Sequence, residues 1–342
     1  MNPEQRERYQ RQTVFPKIGE EGQEKLLASK AVILGVGALG SVLAEKLARS
    51  GVGYLRLVDR DYVELTNLQR QAMYTEKDAA EQLPKAIAAA LHIAEINSAV
   101  ITESVVTDIN AGNIESLIMD MDIVLDGSDN FELRALICEV CHKHAKPWVY
   151  GGALGASGAV MNIMPGSDPC FRCITPDVPA PGSYPTCATA GVIGTITSVV
   201  ASIQATEAIK ILTGSADILT EYLSIDLWNN AFDSVKILKD PGCPVCGKHD
   251  YALLDAGAPE DSVTALCTPG SFQVAPSSPT DIDLDAFAER LSAIGLVMHN
   301  PYLLRFDGDG ISFNLFRDGR AVIRGARDES AARTVYSEYI GL

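Results

Sequence analysis

A glycine-rich turn, Gly35-Val36-Gly37-Ala38-Leu39-Gly40, constrains the fold of this chain more than any other feature. It follows a short apolar segment, residues 31–34, that is typical of a buried β-strand, and it precedes residues 41–49, which have helical spacing. Glycines between a strand and a helix let the backbone approach a phosphate group, and the free N–H groups of the helix N-terminus bind the anion. The turn therefore predicts a nucleotide-binding α/β domain.

An acidic residue follows the turn at the spacing that a nucleotide requires. A second strand is predicted at residues 54–58, and Asp59 stands at its end, about 20 residues after the turn, where a carboxylate can bind ribose hydroxyl groups. This pattern suits both NAD and ATP. Its first interpretation is an NAD-dependent oxidoreductase, and a binding scaffold that keeps the fold without turnover is a further alternative.

Alternating strands and helices continue along the chain. Apolar patterns predict a helix, two strands, a helix, a strand and a helix, in that order, at residues 85–96, 100–105, 122–125, 131–143, 147–150 and 195–212. This order is typical of a Rossmann-like, doubly wound α/β fold with a mostly parallel sheet that is covered on both faces. Residues 1–29 are predicted to form a charged helix or arm, and residues 175–191, rich in Pro, Gly, Ser and Thr, a long loop.

The C-terminal part of the sequence predicts a second, smaller domain. Residues 251–261 have the composition of a linker, so we expect one domain over residues 1–250 and another over residues 262–342. Two short strands, a helix near residues 284–294, two more strands within residues 302–324 and a last helix indicate a small α+β domain. We expect it to be a non-catalytic accessory domain.

Polar and charged residues at the predicted strand ends favour ATP over NAD. The run Asn67-Leu68-Gln69-Arg70-Gln71 follows the strand that ends at Asp59, and its amide and guanidinium donors suit the phosphates of a triphosphate. Lys85 adds a second cation, and Asp129 follows the strand at residues 122–125, where a carboxylate can hold Mg²⁺. Because ligands bind at the carboxyl ends of parallel strands, we expect these segments to converge on ATP and Mg²⁺.

Together these motifs resemble the ThiF/MoeB/HesA family, relatives of the ubiquitin-activating enzymes. The resemblance implies an adenylyltransferase that uses ATP to adenylate the C-terminal Gly-Gly carboxylate of a small ubiquitin-like protein and releases pyrophosphate. The thiamin and molybdopterin branches, whose partner is a sulfur carrier protein, are the most similar, and activation of a short peptide is a variant. The matching motifs, over residues 6 to about 249, are Arg8-Tyr9-Gln10-Arg11-Gln12, the glycine turn, Val58-Asp59-Arg60-Asp61, Asn67 to Gln71, Leu83-Pro84-Lys85 and Asp126-Gly127-Ser128-Asp129-Asn130.

The resemblance also implies a role for each matching residue. Asp59 would bind the ribose, Asp129 would hold Mg²⁺ and position the α-phosphate, and Arg11 would reach into the site of a partner protomer, which requires a homodimer. No general base is needed, because the attacking carboxylate is already ionised at neutral pH. Ala38 stands where a further glycine is common in the family. The other expected nucleotide contacts are the phosphate-binding residues Asn67, Arg70 and Lys85, together with Gly35, Gly37, Ala38, Gly40, Asp61, Gln71 and Asn130.

Two C-x-x-C pairs, Cys170 with Cys173 and Cys243 with Cys246, predict a structural zinc site. Each turn presents two thiolates to one tetrahedral metal, and two pairs complete a four-cysteine site. The resemblance implies the same zinc site at matching positions. Because the pairs lie far apart in the sequence, the metal would tie distant segments together.

The other cysteines carry weaker indications. Cys138 and Cys141, with His142 and His144 nearby, lie in a predicted helix, and we interpret them as core residues. Cys187 lies at the end of the long loop, just before a helix, where the pKa of a thiol can be lowered. The resemblance allows two interpretations of Cys187, a covalent intermediate with the activated carrier or a plain structural cysteine.

Composition narrows the classes of partner and the compartment. A net charge of -16 argues against nucleic acid or an anionic membrane as the main partner, although a local cluster of cations can still hold a phosphate. The N-terminus has no apolar segment of a signal peptide, so eight cysteines indicate a reducing, cytoplasmic compartment. The longest apolar run, residues 191–205, soon meets Glu207 and Lys210, which favours a buried helix over a membrane span.

Overall fold

The N-terminal unit, residues 1–257, is built around one mixed β-sheet. The computed structural model describes residues 1–166, 169–179, 187–257, 262–265, 270–276 and 280–341. In chain order, the strands of this unit are β1 (Lys30–Leu34), β2 (Tyr54–Asp59), β3 (Ile101–Val106), β4 (Ile123–Asp126), β5 (Trp148–Leu154), β6 (Ser157–Ile163), β7 (Tyr222–Asp226) and β8 (Ala231–Val235).

Helices connect these strands and cover the sheet. The N-terminal segment, predicted as one helix or arm, forms two helices. The helices are α1 (Pro3–Thr13), α2 (Gly19–Ala28), α3 (Gly40–Ser50), α4 (Glu76–Ala80), α5 (Lys85–Ile96), α6 (Ile114–Ile118), α7 (Phe131–Lys143), α8 (Phe171–Ile174), α9 (Cys187–Ala190), α10 (Gly194–Thr213) and α11 (Ala252–Asp255), with a short 3-10 turn at Leu65–Asn67. Within the described part of the chain, no helix has the length and apolar character needed to cross a membrane.

The strand order is β3-β2-β1-β4-β5-β6-β7-β8. Strands β3, β2, β1, β4 and β5 are parallel, and β5 to β8 pair antiparallel. The chain moves outward from β1 to β2 and β3 and then crosses to β4 on the other side of β1. This reversal opens a crevice between the loops that follow β1 and β4, which is where doubly wound folds bind their ligands.

The antiparallel half of the sheet was missed by the sequence patterns. Strand β6 contains glycine and asparagine among its apolar residues, and β8 is an edge strand whose side chains are mostly exposed, so neither shows the apolar run of a buried strand. Both strands are held in the sheet by pairing with β7, and their local composition does not indicate this.

The parallel strands are buried on both faces, as a doubly wound fold requires. Along β1, Ala31 and Ile33 belong to one core cluster with residues of α3, α5 and α10. The alternate residues Val32 and Leu34 belong to a second cluster with residues of α6 and α7. The apolar run of β1 therefore fills two separate cores, one on each side of the sheet.

Three glycines bring the β1 and β4 loops into direct backbone contact. Gly35 has a φ of 89°, and a Cβ atom on it would lie 2.7 Å from the carbonyl oxygen of Gly127. A Cβ atom on either Gly40 or Gly127 would overlap the carbonyl oxygen of Gly35. Gly37 differs, because its nearest neighbour would be the Gln71 side-chain nitrogen at 3.8 Å. Its surroundings leave room for a ligand.

In its described residues, the C-terminal unit, residues 258–342, is an antiparallel sheet with two helices. Its apolar face packs against residues of both helices, including Leu291 and Val335, around Phe306 and Phe313. The sheet order is β11-β12-β13-β14-β10-β9. Its elements are β9 (Ser262–Ala265), β10 (Ser271–Ala275), α12 (Leu284–Leu291), β11 (Leu296–His299), β12 (Leu303–Gly308), β13 (Ile311–Phe316), β14 (Ala321–Arg324) and α13 (Glu329–Tyr339).

The sequence underestimated the number of strands in this unit. Two strands were predicted within residues 302–324, and the structure has β12, β13 and β14 there, with β11 before them. Asp309 and Gly310 both have positive φ and join β12 to β13 in a tight hairpin. An Asp-Gly pair between apolar segments is a known hairpin pattern, so this strand boundary was visible in the sequence.

The predicted fold class, a Rossmann-like α/β unit with a small C-terminal α+β domain, is confirmed.

Candidate active site

Asp59 lies at the end of β2 with its carboxylate turned toward the glycine turn. Its Oδ2 accepts a hydrogen bond of 2.7 Å from the Val36 N–H, and its Oδ1 accepts one of 2.8 Å from the Asp61 N–H. Burial raises the pKa of Asp59, although the Lys85 ammonium opposes the shift. The carboxylate predicted to bind ribose is therefore held in a fixed position beside the backbone of the glycine turn.

Lys85, the first residue of α5, supplies a buried cation at the same edge. Its Nζ lies 2.9 Å from Oδ2 of Asp61, and the side chain is only 8% exposed. Burial by itself would lower the pKa of Lys85, but the Asp61 and Asp59 carboxylates raise it above the ordinary lysine value. Lys85 therefore keeps its proton at neutral pH and is available as a cation for a phosphate group.

The segment after β2 brings amide and guanidinium groups to this edge. Asn67 is buried, and its Oδ1 accepts from the Glu64 N–H at 3.1 Å. Arg70 is half-buried, and its Nη1 donates to the Thr66 carbonyl oxygen at 2.9 Å. Each side chain is thus partly fixed by its own loop.

Two buried polar atoms lie near the turn, Oε1 of Gln71 and Oγ of Ser41 in the first turn of α3. Within the described residues, neither has a hydrogen-bond partner. Gln71 lies beside Gly37, where the backbone leaves room. An unpartnered polar atom in a buried position costs free energy, and a polar ligand at the turn would reduce that cost.

Tyr74 is a part of the site that the sequence did not reveal. Its buried hydroxyl donates to the Val36 carbonyl oxygen at 2.6 Å and also lies 3.1 Å from the Lys85 carbonyl oxygen. It therefore ties the glycine turn to the start of α5. A single tyrosine beyond the run Asn67 to Gln71 carries no pattern that would have identified this role.

A buried ion pair fixes the loop that follows β4. Asp126 Oδ1 accepts from the N–H of Ser128 at 2.9 Å and from its hydroxyl at 2.6 Å, and Arg134 Nε lies 3.2 Å from Asp126 Oδ2. Arg134 also donates to the Ser128 and Gly151 carbonyl oxygens, at 2.8 and 3.1 Å. Asp129, which follows Ser128 in the sequence, is exposed at the sheet edge, so its position depends on the hydrogen bonds that hold Ser128.

Neither Asp126 nor Arg134 was singled out as a site residue from the sequence. The available indication was an arginine within an otherwise apolar segment of α7, which requires a buried carboxylate partner. Asn130, predicted to contact the nucleotide, also has a local role in this structure. Its Oδ1 accepts from the Leu133 N–H at 2.7 Å and caps the N-terminus of α7.

Arg11 is not brought together with the other predicted residues within one chain. It is exposed near the end of α1, and its neighbour Gln12 donates to the Ser50 carbonyl oxygen at the C-terminal end of α3. The glycine turn lies at the opposite end of α3, a helix of 11 residues. At about 1.5 Å per residue, the two ends lie roughly 15 Å apart.

The four cysteines of the two C-x-x-C pairs meet in space. Their sulfur atoms all lie within 4.8 Å of one another, with Cys170 and Cys243 at 3.5 Å and Cys173 and Cys246 at 3.4 Å. Four thiolates around zinc at about 2.3 Å each stand roughly 3.8 Å apart, so the cluster fits a tetrahedral zinc ion. Cys187 begins α9, but its side chain lies outside the described residues.

The sequence matches the ThiF family over residues 9–245. The chain belongs to the ThiF family.

Relatives of this ThiF-family chain cover most of its length. A protein of Bacillus subtilis named sulfur carrier protein ThiS adenylyltransferase is 41% identical over 337 residues, which are 98% of this chain and 99% of the relative. The SAMP-activating enzyme E1 of Haloferax volcanii is 38% identical over 245 residues, 71% of this chain and 90% of the relative. The sulfur carrier protein adenylyltransferase of Thermus thermophilus is 36% identical over 250 residues, 71% and 92% of the two chains.

Solved structures agree with the fold. A structure of Escherichia coli MccB with MccA-N7isoASN has a TM-score of 0.62 at 23% identity, and the match covers 71% of this chain and 74% of MccB. At that identity the likeness speaks for the fold alone. Family membership confirms the predicted resemblance and the enzyme class, an adenylyltransferase, and leaves the oxidoreductase alternative without support.

The Arg134–Asp126 pair gives a test of how the β4 loop is held. We expect Arg134→Met to lower the free energy of unfolding by roughly 3–5 kcal/mol at pH 7, because the Asp126 carboxylate would stay buried without its cation. Burial raises the pKa of Asp126 and Arg134 opposes that shift, so removing Arg134 raises it further. The loss of stability should therefore be smaller as pH falls toward the unfolded-state pKa of ~3.9. Urea unfolding at pH 7 and at pH 5 measures this loss.

The matched control is the double variant Asp126→Asn with Arg134→Met, which removes both charges. It should lose less stability than the two single changes added together. Additive losses, or an Arg134→Met penalty that is the same at both pH values, would contradict the role given to this ion pair.

Proposed function

We propose that the protein uses ATP to adenylate the C-terminal carboxylate of a small ubiquitin-like sulfur carrier that ends in Gly-Gly, and releases pyrophosphate. The observation that supports this most is the similarity to the ThiS adenylyltransferase of Bacillus subtilis, at 41% identity over 98% of this chain. That similarity extends over the C-terminal unit as well as the nucleotide-binding unit. The relatives in Haloferax volcanii and Thermus thermophilus, whose names also refer to carrier activation, lend further support.

The geometry suits an ATP that lies across the ends of β1 and β2. Its phosphates would meet the glycine turn and the N-terminus of α3, where backbone N–H groups are available. Its ribose would meet the Asp59 carboxylate, which the Val36 N–H holds against the turn. Lys85 and Arg70 would then stand beside the phosphates, and Asp129 would hold Mg²⁺ next to the α-phosphate.

The reaction needs charge neutralisation more than proton transfer. The carrier carboxylate attacks the α-phosphorus, the bond to the bridging oxygen breaks, and pyrophosphate leaves with the electron pair. Negative charge accumulates as the pentavalent state forms, and Lys85, Arg70 and Mg²⁺ would stabilise it. The attacking carboxylate is ionised at neutral pH, so no general base is required.

ATP–pyrophosphate exchange tests the proposal directly. We expect exchange of labelled pyrophosphate into ATP only when a carrier with a free Gly-Gly terminus is present, and an acyl-adenylate detectable by mass spectrometry. A carrier that lacks the last glycine and a short peptide with the same C-terminus are assayed beside it. Exchange with the peptide alone would favour the peptide-activating variant, and no exchange with any substrate would refute the proposal.

Lys85→Ala should reduce the rate of carrier-dependent exchange roughly 10²–10³-fold, the usual cost of removing one charge-stabilising group. Lys77→Ala is the matched control, because Lys77 is an exposed lysine of α4 whose loss removes the same charge. If the two changes lower the exchange rate equally, the effect of Lys85 comes from the net charge of the protein, and its proposed contact with the phosphates is contradicted.

We also propose that the four-cysteine cluster holds a structural zinc ion. The distances between the sulfurs and the burial of three of the four cysteines support this. The expected result is one zinc per chain by elemental analysis, lost together with thermal stability in Cys246→Ala. Cys141→Ala, a buried cysteine of α7 outside the cluster, should keep the metal. Protein purified without chelators and free of zinc would contradict the proposal.

Arg11 is proposed to complete the site of a partner protomer in a homodimer. Its distance from the glycine turn within one chain supports a role in trans. Arg11→Ala and Asp129→Ala should each abolish exchange alone, and co-expression of the two should restore about one quarter of the wild-type sites, because half of the dimers are mixed and each has one intact site. No recovery in isolated mixed dimers would refute a role in trans.

A further inference from the structure

An ion pair that the proposed reaction does not use stands at the ends of β2 and β3. Arg60 follows Asp59 directly, and Asp108 lies two residues beyond the end of β3. Nη1 of Arg60 lies 3.0 Å from Oδ1 of Asp108, and the two side chains are 32% and 30% exposed. The Arg60 side chain is thus paired with a carboxylate and still about one third exposed at the sheet edge.

The strand order decides which part of a nucleotide would reach this pair. Strands β3, β2 and β1 are consecutive neighbours in the sheet. Phosphates on the turn after β1 and a ribose on Asp59 after β2 define a direction that points toward β3. The base of the nucleotide therefore arrives one strand further out, over the ends of β2 and β3, where Arg60 and Asp108 lie.

The loop that carries Asp108 is held by hydrogen bonds among its own residues. Nδ2 of Asn113 donates to the Asp108 carbonyl oxygen at 2.8 Å, and Oδ1 of Asn113 accepts from the Asn110 N–H at 2.9 Å. Oδ1 of Asn110 accepts from the Gly112 N–H at 2.8 Å. These bonds hold Asp108 in place, so a ligand that contacts Arg60 does not need to order its anchor first.

We propose that the Arg60 guanidinium, anchored by Asp108, stacks on the adenine ring of ATP and contributes to the affinity for the base. This inference rests on the proposed function, which supplies ATP as the substrate. A planar guanidinium stacks on an aromatic ring, and an ammonium group does so less well. Asp108, with Asp61 at 3.9 Å from Arg60 Nε, offsets much of the charge of Arg60, which suits contact with a neutral base better than contact with a phosphate.

Direct binding of ligands to the purified full-length protein tests this assignment without any carrier. Arg60→Ala should weaken ATP binding roughly tenfold in titration calorimetry, the usual range for a stacked cation. Binding of tripolyphosphate, which has no base, should stay unchanged. Arg60→Lys keeps the charge but loses the planar group, and it should weaken ATP binding nearly as much as Arg60→Ala.

Two further variants sharpen the test. Asp108→Asn should weaken ATP binding only in the presence of Arg60, so the double variant with Arg60→Ala should bind like Arg60→Ala alone. Arg49→Ala is the control, because Arg49 is also paired with a carboxylate, Glu45, but lies at the far end of α3. It should bind ATP like the wild type.

The inference and the proposed function fail in different ways. Equal losses for ATP and tripolyphosphate, full affinity in Arg60→Lys, or no loss in Arg60→Ala would each overturn the role of Arg60. If no carrier or peptide supports ATP–pyrophosphate exchange but ATP binding still depends on Arg60, the proposed adenylation is overturned and the contact between Arg60 and the base remains.

Discussion

The contact among Gly35, Gly40 and Gly127 is the constraint on which the rest of the site depends. It presses the backbone of the β1 turn against the backbone of the β4 loop, and any Cβ atom at these positions would overlap a carbonyl group or crowd it. The contact sits at the point where the strand order reverses. This one backbone contact therefore fixes both the turn at Gly37 and the start of α3, where we propose that the phosphates bind, and the loop that carries Asp129.

Buried charge then fixes the groups around that backbone. Lys85 lies beside Asp61 and Asp59, and Arg134 pairs with Asp126 beneath the β4 loop. Buried ion pairs add little net stability, because desolvation offsets most of their attraction. Their effect here is on position. Each pair holds a loop or a side chain at the edge where the nucleotide would lie, and each would be costly to leave half complete.

Much of this arrangement followed from local pattern. The glycine turn, the strand ending at Asp59, the start of α5 at Lys85 and the spacing of the cysteines are short-range features, and the structure has the corresponding elements in place. Tyr74, Arg134 and the antiparallel strands β6 to β8 did not follow, because their roles come from partners distant in the sequence. Asn130 also has a role that its motif did not indicate, because its side chain caps the N-terminus of α7.

The sequence by itself determined the fold class, the family and the four thiols suited to one metal. These follow from the spacing of apolar residues along the chain, from glycines at positions where the backbone approach leaves no room for a Cβ atom, and from the spacing within each C-x-x-C pair. Only the tertiary structure decided which distant groups meet. Arg60 and Asp108 are 48 residues apart in sequence, and Cys170 and Cys243 are 73 apart, yet each pair is in contact. Such contacts depend on strand order and on packing between elements, and no local pattern encodes either of them.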